Sequence, residues 1–300
     1  MRISTAALMG LTAFTFNPSD AHAIITRHDV DDAQYVVDAA EYPALVNLFE
    51  PGDCLATLVH PSYLLTVAHC AADLSSGASV SIGDETRAVT TITAHPRWND
   101  GDAFDIALVR LDTPVLSVQP IPLFRGEDEL GSEVELLGRG LHGTGEEGEA
   151  GATDDALLRR ATNTVDSVDD HFLRFTFDPP TREAATMLEG VGAGGDSGGP
   201  VFLRREGITY LAGLNAWGDS CDVDVAKYKA NDYQVRISQF VAWVDAGIAG
   251  RDSEEGPSGG SRFANAECSF CSVAGEPPGF GLLILLALGW RRRATTTRTL

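Results

Sequence analysis

Three residues far apart in the chain could together cleave an acyl bond: His69 in TVAHC, Asp105 in DAFDIALVRL and Ser197 in GGDSGGP. A serine hydroxyl is a weak nucleophile at neutral pH. It needs a histidine base within hydrogen-bond reach and a third group that fixes the imidazole tautomer. Taken singly, each residue has an ordinary explanation: a histidine closing an apolar run, an aspartate in a turn, a serine in a glycine loop. Their order, His then Asp then Ser, with intervals of 36 and 92 residues, makes them candidates for one nucleophilic site. The stretch EGVGAGGDSGGP places six glycines around a single Asp196-Ser197 pair, so backbone and not side chain surrounds the serine.

Such residues must be brought together by the elements that carry them. From Ala44 to Trp243 the sequence runs in short apolar segments, among them ALVNLF, LATLVH, YLLTVA, SVSI, TTITAH, VELLGRG, FLRFTF, PVFLRR, YLAGLNAW and YQVRI. They are rich in Val, Ile, Leu, Thr and Phe and bounded by Gly, Pro, Asp or Ser, the pattern of β-strands. An antiparallel barrel or sandwich follows, because no long helical periods alternate with them. The one clear helix is ISQFVAWVDAGIAG, with Ser238 as N-cap, Phe240, Val241, Val244 and Ile248 on one face and Gly250 at its exit. Residues 141–155, LHGTGEEGEAGATDD, read as an acidic, mobile surface loop.

Three hundred residues, 44% of them hydrophobic, suffice for a large core. A formal charge of −21, from 22 basic and 43 acidic residues, argues against nucleic acid or an anionic membrane surface as partner of the folded part. Residues 1–23 have the form of a secretory signal peptide, with Arg2, an apolar run from Ile3 to Phe16 and Ala21-His22-Ala23 before Ile24. Five cysteines in an exported chain can form disulfides, and an odd number leaves at least one outside intramolecular pairs. Residues 251–267 are polar and glycine-rich, a flexible linker. Residues 268–300 follow as a separate tail: CSFC, the apolar run FGLLILLALGW and Arg291-Arg292-Arg293, which suggest transient membrane association.

With TVAHC, DIALVRL and GDSGGP in this order, residues 24–250 resemble the chymotrypsin family of secreted serine endopeptidases. The resemblance implies an all-β domain of two packed six-stranded antiparallel barrels with a C-terminal helix. It also implies a cofactor-free hydrolase, without metal, that acts on protein or peptide substrates as a monomer. His69 is then base and acid, Asp105 orients it, Ser197 attacks, and the N–H groups of Gly195 and Ser197 face the oxyanion. Asp196 would pair with the amino group of Ile24 freed by leader cleavage, unless the divergent ITRHDVDD terminus does not insert. Cys54 and Cys70 would staple the histidine loop.

The same resemblance outlines a specificity pocket of Val191, Ala216, Trp217, Gly218 and Asp232. Val191 stands where trypsin-like enzymes carry aspartate, so small or apolar residues are one expectation. Asp232 offers another, selection of Arg or Lys from the back wall, if it is not a solvated loop acid. Ala216 replaces a serine whose hydroxyl supports the triad aspartate. Ala193 replaces a cysteine that pairs at the position of Cys221, so the pocket wall lacks a covalent tie. A catalytically weak or inactive surface binding module is the alternative function. The tail resembles myxobacterial sorting signals of the MYXO-CTERM type, implying display at the cell surface.

Overall fold

The computed structural model describes residues 24–258 except 51, 100, 102, 154 and 220–224. The leader, Cys221, Cys268, Cys271 and the apolar run of the tail therefore lie outside the described residues. Among the described residues, no helix is long and apolar enough to cross a membrane.

Two curled antiparallel sheets form the body. The first has six strands, in the order Leu45–Asn47, Leu55–His60, Tyr63–Thr66, Ala107–Leu111, Glu85–Ala94 and Ser79–Ile82. The second has seven: Arg159–Thr164, Glu133–Gly138, Pro200–Arg205, Ile208–Gly218, Asn231–Arg236, Phe172–Thr176 and Ser167–Val168. This is the expected pair of barrels with one strand more. The seventh is a two-residue edge strand, where Ser167 and Val168 fold back on Arg174 and Leu173.

Alternation decides which faces are buried. Ser79–Ile82 exposes its serines and buries Val80 and Ile82, whereas Pro200–Val201–Phe202–Leu203 is buried on both faces because the chain packs on both sides of it. One apolar cluster, including Leu58, Leu64, Val109, Phe240 and Val244, fills the first barrel and the seam. A second, with Ile24, Tyr35, Val134, Phe175 and Val201, fills the other. Each such fully buried side chain contributes about 1.5–3 kcal/mol.

Three segments differ from their sequence reading. The terminal helix is shorter, Val241–Ile248 after a 3₁₀ turn at Ile237–Gln239. Ser238 does not cap it, because its hydroxyl donates to Glu129 Oε1 at 2.7 Å. The loop at 141–155 is tied into the body: Gly143–Thr144 pairs in parallel with Ile25–Thr26, whose other edge carries Gly190–Val191. The first part of the linker also packs, with His95 Nε2 donating to the Glu255 carbonyl at 3.1 Å and Arg97 Nη1 to that of Pro257 at 2.9 Å.

Candidate active site

His69 sits in the short helix Ala68–Asp73, three positions beyond Thr66, the end of the buried strand that it was expected to close. Asp105 lies just before the strand Ala107–Leu111, which pairs with Tyr63–Thr66, so neighbouring strands deliver the two side chains side by side. The Asp105 carboxylate, 4% exposed, accepts from both the backbone and the ring of His69: Oδ1 from His69 N at 2.8 Å, and Oδ2 from Nδ1 at 2.6 Å. A proton held on Nδ1 makes Nε2 the basic nitrogen. Ala216, 5% exposed, brings no hydroxyl to this aspartate.

Cys54 and Cys70 are joined by a disulfide that closes a sequence separation of 16 residues beneath His69. Their sulfurs lie within 4.8 Å of a His69 ring nitrogen, but bonded to each other they offer no thiolate to a metal.

The backbone around Ser197 is ordered by its hydrogen bonds. Gly192 N donates to Asp232 Oδ2 at 2.8 Å, Ala193 N to Asp196 Oδ2 at 3.0 Å, and Gly194 N to Glu149 Oε1 at 2.8 Å. Asp196 N, Gly198 N and Gly199 N are taken up by the carbonyls of Ala193, Asn215 and Asp196. Among the described residues, only Gly195 N and Ser197 N in the run 192–199 have no acceptor. Peptide planarity explains where Gly195 N points: Leu141 N holds the Gly194 carbonyl at 2.6 Å, and in a trans unit the N–H faces the opposite way. Gly195 has φ +93° and Gly198 φ +75°, conformations that favour glycine.

Asp196 is fully buried. Its Oδ2 accepts from Ile24 N at 2.9 Å and its Oδ1 from Gly140 N at 2.6 Å. Burial pushes this carboxyl up to about 8, against the downward pull of the Ile24 and Ala193 N–H groups. Gly138 makes room, since a Cβ there would overlap the Asp196 carboxylate.

The cavity beside Ser197 is lined by Glu149, Gly192, Ala193, Gly194, Asn215, Ala216, Trp217, Gly218 and Asp232. Val191 is not part of that lining. It pairs with Ile25 and packs with Phe177 and Ala226 instead. Trp217 turns its ring onto Tyr233, with centroids 3.8 Å apart. Asp232 is buried, and burial raises its carboxyl to about 7, with the Glu149 carboxylate adding to the rise. Burial likewise raises Glu149. Glu149 and Asn215 line the cavity without belonging to any of the three motifs or to the pocket that the resemblance outlines. The signal for Glu149 was the run of glycines at 143, 145 and 148, which let its loop approach Ile25, Phe177 and Val225 closely. A larger cavity, of about 370 Å³, lies between residues 39–50 and 79–84 and contains none of the candidate residues.

A family model described as Trypsin matches residues 34–244. Similar proteins include Suppressor of tumorigenicity 14 protein homolog from Bos taurus, 28% identical over 239 residues, covering 70% of this chain and 27% of that protein. Transmembrane protease serine 9 from Rattus norvegicus is 28% identical over 212 residues, covering 64% of this chain and 19% of that protein. Vitamin K-dependent protein C from Rattus norvegicus is 26% identical over 232 residues, covering 66% and 47%. The chain thus spans less than half the length of each of these relatives.

Proposed function

The chain belongs to the trypsin family, and from that premise we propose that it is an exported serine endopeptidase using His69, Asp105 and Ser197. Ser197 Oγ attacks the scissile carbonyl carbon as His69 Nε2 takes its proton. The proton passes to the leaving amine, and water then hydrolyses the acyl-enzyme by the same route. The carrying observation is the pattern of N–H groups around the serine, in which Gly195 N and Ser197 N remain available while their neighbours are engaged. Two adjacent donors held in place by bonded neighbours suit the charge that develops on a carbonyl oxygen, and each is worth roughly 2.7–4 kcal/mol in such sites.

Cleavage before Ile24 activates the enzyme. In the uncut chain Ile24 N is a peptide nitrogen, which supplies Asp196 with one hydrogen bond and no charge. An ammonium at the same place, 2.9 Å from Asp196 Oδ2, offsets the cost of a buried carboxylate. Substrates are proteins or peptides, and export leads to secretion or cell-surface display.

The test is a fluorophosphonate probe with a peptide-cleavage assay. Ser197 labels in the wild type, and Ser197→Ala lowers kcat by roughly 10⁴-fold or more. N-terminal sequencing of the active form returns Ile24. A folded wild-type protein that neither labels nor cleaves would support the binding-module reading instead.

A further inference from the structure

The wall Gly192–Gly194 carries three consecutive backbone N–H groups, each donated to a different carboxylate: Asp232, Asp196 and Glu149. Two of these acids come from the frame of the site itself. The third comes from the loop at 141–155, lines the same cavity and has no part in the proposed chemistry. Both faces of Gly194 are held by that loop, because Glu149 Oε1 accepts from Gly194 N at 2.8 Å and Leu141 N donates to the Gly194 carbonyl at 2.6 Å. The peptide unit that follows carries Gly195 N, one of the two free donors beside Ser197.

We propose that Glu149 is a positioning residue for the oxyanion site, clamping Gly194 so that the Gly195 N–H is held toward the reacting carbonyl. This rests on the serine-endopeptidase reading. The clamp does by charge-assisted hydrogen bonding what no sulfur can do here, since Ala193 offers no thiol for a covalent tie. Glu149 is itself held, with its N–H donating to the Val225 carbonyl at 3.2 Å. Its loop is fixed in turn by the chain start: Ile25 pairs with Gly143, and Gly145 N donates to the Thr26 carbonyl at 2.9 Å. Ordering of residues 24–26 therefore reaches Gly195 by two routes. One runs through Asp196, the other through Glu149.

An acceptor and a charge are separable demands, because a glutamine amide oxygen accepts the Gly194 N–H as a carboxylate does but cannot select a cationic substrate. The experiment compares wild type, Glu149→Ala and Glu149→Gln on two peptide amides, one with Lys and one with Ala before the scissile bond. Glu149→Ala lowers kcat about 10–100-fold on both, with KM within about threefold, and Glu149→Gln restores kcat to within about threefold. Unchanged kcat in Glu149→Ala overturns the proposal, as does equal damage from both variants. A loss in Glu149→Gln confined to the Lys substrate also overturns it and makes Glu149 a specificity carboxylate.

Amide hydrogen exchange at Gly194, in a Ser197→Ala background, reads the clamp without catalysis. Exchange at least about tenfold faster in Glu149→Ala, and near the parent in Glu149→Gln, supports it; unchanged exchange overturns it. Failure of the wild type to label with fluorophosphonate, together with this exchange pattern in the Ser197→Ala background, sinks the endopeptidase reading and leaves the clamp standing.

Discussion

The two sides of the cleft are fixed by different physics. On the first, His69 rides a short helix pinned by the Cys54–Cys70 disulfide and by packing of Ala68, Ala71 and Ala107 against Ile92 and Trp98. On the second, the wall around Ser197 is held by the buried or half-buried carboxylates of Asp196, Asp232 and Glu149. Covalent and apolar constraints do not titrate, whereas buried carboxylates do. The covalent tie of the first side should therefore answer to reductant, and the carboxylate ties of the wall around Ser197 to pH.

The sharpest way to break this arrangement is at the seam. Gly198, at φ +75°, presses on the Leu55 carbonyl oxygen and Thr66 Oγ1 of the first sheet, and a Cβ would overlap both. Leu55 N also donates to the Ser197 carbonyl at 2.8 Å, so the serine loop rests directly on that strand. Gly198→Ala combines backbone strain with a clash against main chain that cannot move aside. We expect a loss above about 4 kcal/mol, seen as insoluble protein or a collapsed urea midpoint, without detectable cleavage. Activity near wild type would mean that the two sheets are less tightly joined than their contacts imply.

The second side is tested through Asp232. Its unfolded carboxyl loses a proton near 3.8 and the folded one near 7, so between these values the folded state holds more protons. Stability present below pH 4 is then lost as pH rises through about 7. Asp232→Asn keeps an acceptor for Gly192 N and removes the titration. Relative to wild type it should gain stability from pH 4 to 8, by an amount that could approach about 4 kcal/mol. Urea unfolding across that range gives the difference curve. A flat curve would show that the carboxylate is solvated when ionised.

Much of this was legible in the sequence, and the misses share a cause. SVSI and YQVRI announced strands because alternating β-branched residues have few other uses, and the three chemical motifs stood in an order that few folds share. Whether Val191 reaches the lining depends on which way its side chain turns, which its sequence neighbours do not record. Pairing with Ile25 turns its side chain into the Phe177 cluster and leaves Gly192 at the cavity. Glu149 was hidden in a polar, glycine-rich stretch that looks like a solvated loop. Its place comes from its own contact with residue 194 and from the pairing of its loop, at 143–145, with residues 25 and 26, partners more than forty and more than a hundred positions away. Ser238 shows the same limit, since a distant glutamate outcompetes the helix end for its hydroxyl.

The disulfide side carries the third prediction. Replacing both Cys54 and Cys70 by alanine opens a loop of 16 residues and should cost about 3 kcal/mol at every pH from 4 to 8. Reductant should shift the urea midpoint of the wild type by the same amount and leave the double variant unmoved. A loss that varied with pH would mean that the two sides are coupled, and the Cys54 N–H donated to the Gly195 carbonyl at 2.9 Å is the direct route between them.

The smallest effect concerns what backs Asp105. Phe104 has φ +62°, a strained value for a bulky residue, worth of order 1–3 kcal/mol. It is held there by the His95 ring, stacked at 5.0 Å, and by the Arg97 guanidinium, 4.0 Å from its ring centroid. Arg97 also donates to the Pro257 carbonyl, which brings the segment after the terminal helix onto the aspartate side. Arg97→Ala removes one cation–π contact and one hydrogen bond, so a loss of about 1–2 kcal/mol is expected, with kcat down a few-fold and KM unchanged. Truncation after Gly250 should reproduce part of that loss, because it removes the carbonyl acceptors of His95 and Arg97 and leaves the cation–π contact. If stability falls in both variants while kcat stays at the wild-type value, Phe104 is packing and the Asp105 geometry is set by His69 alone.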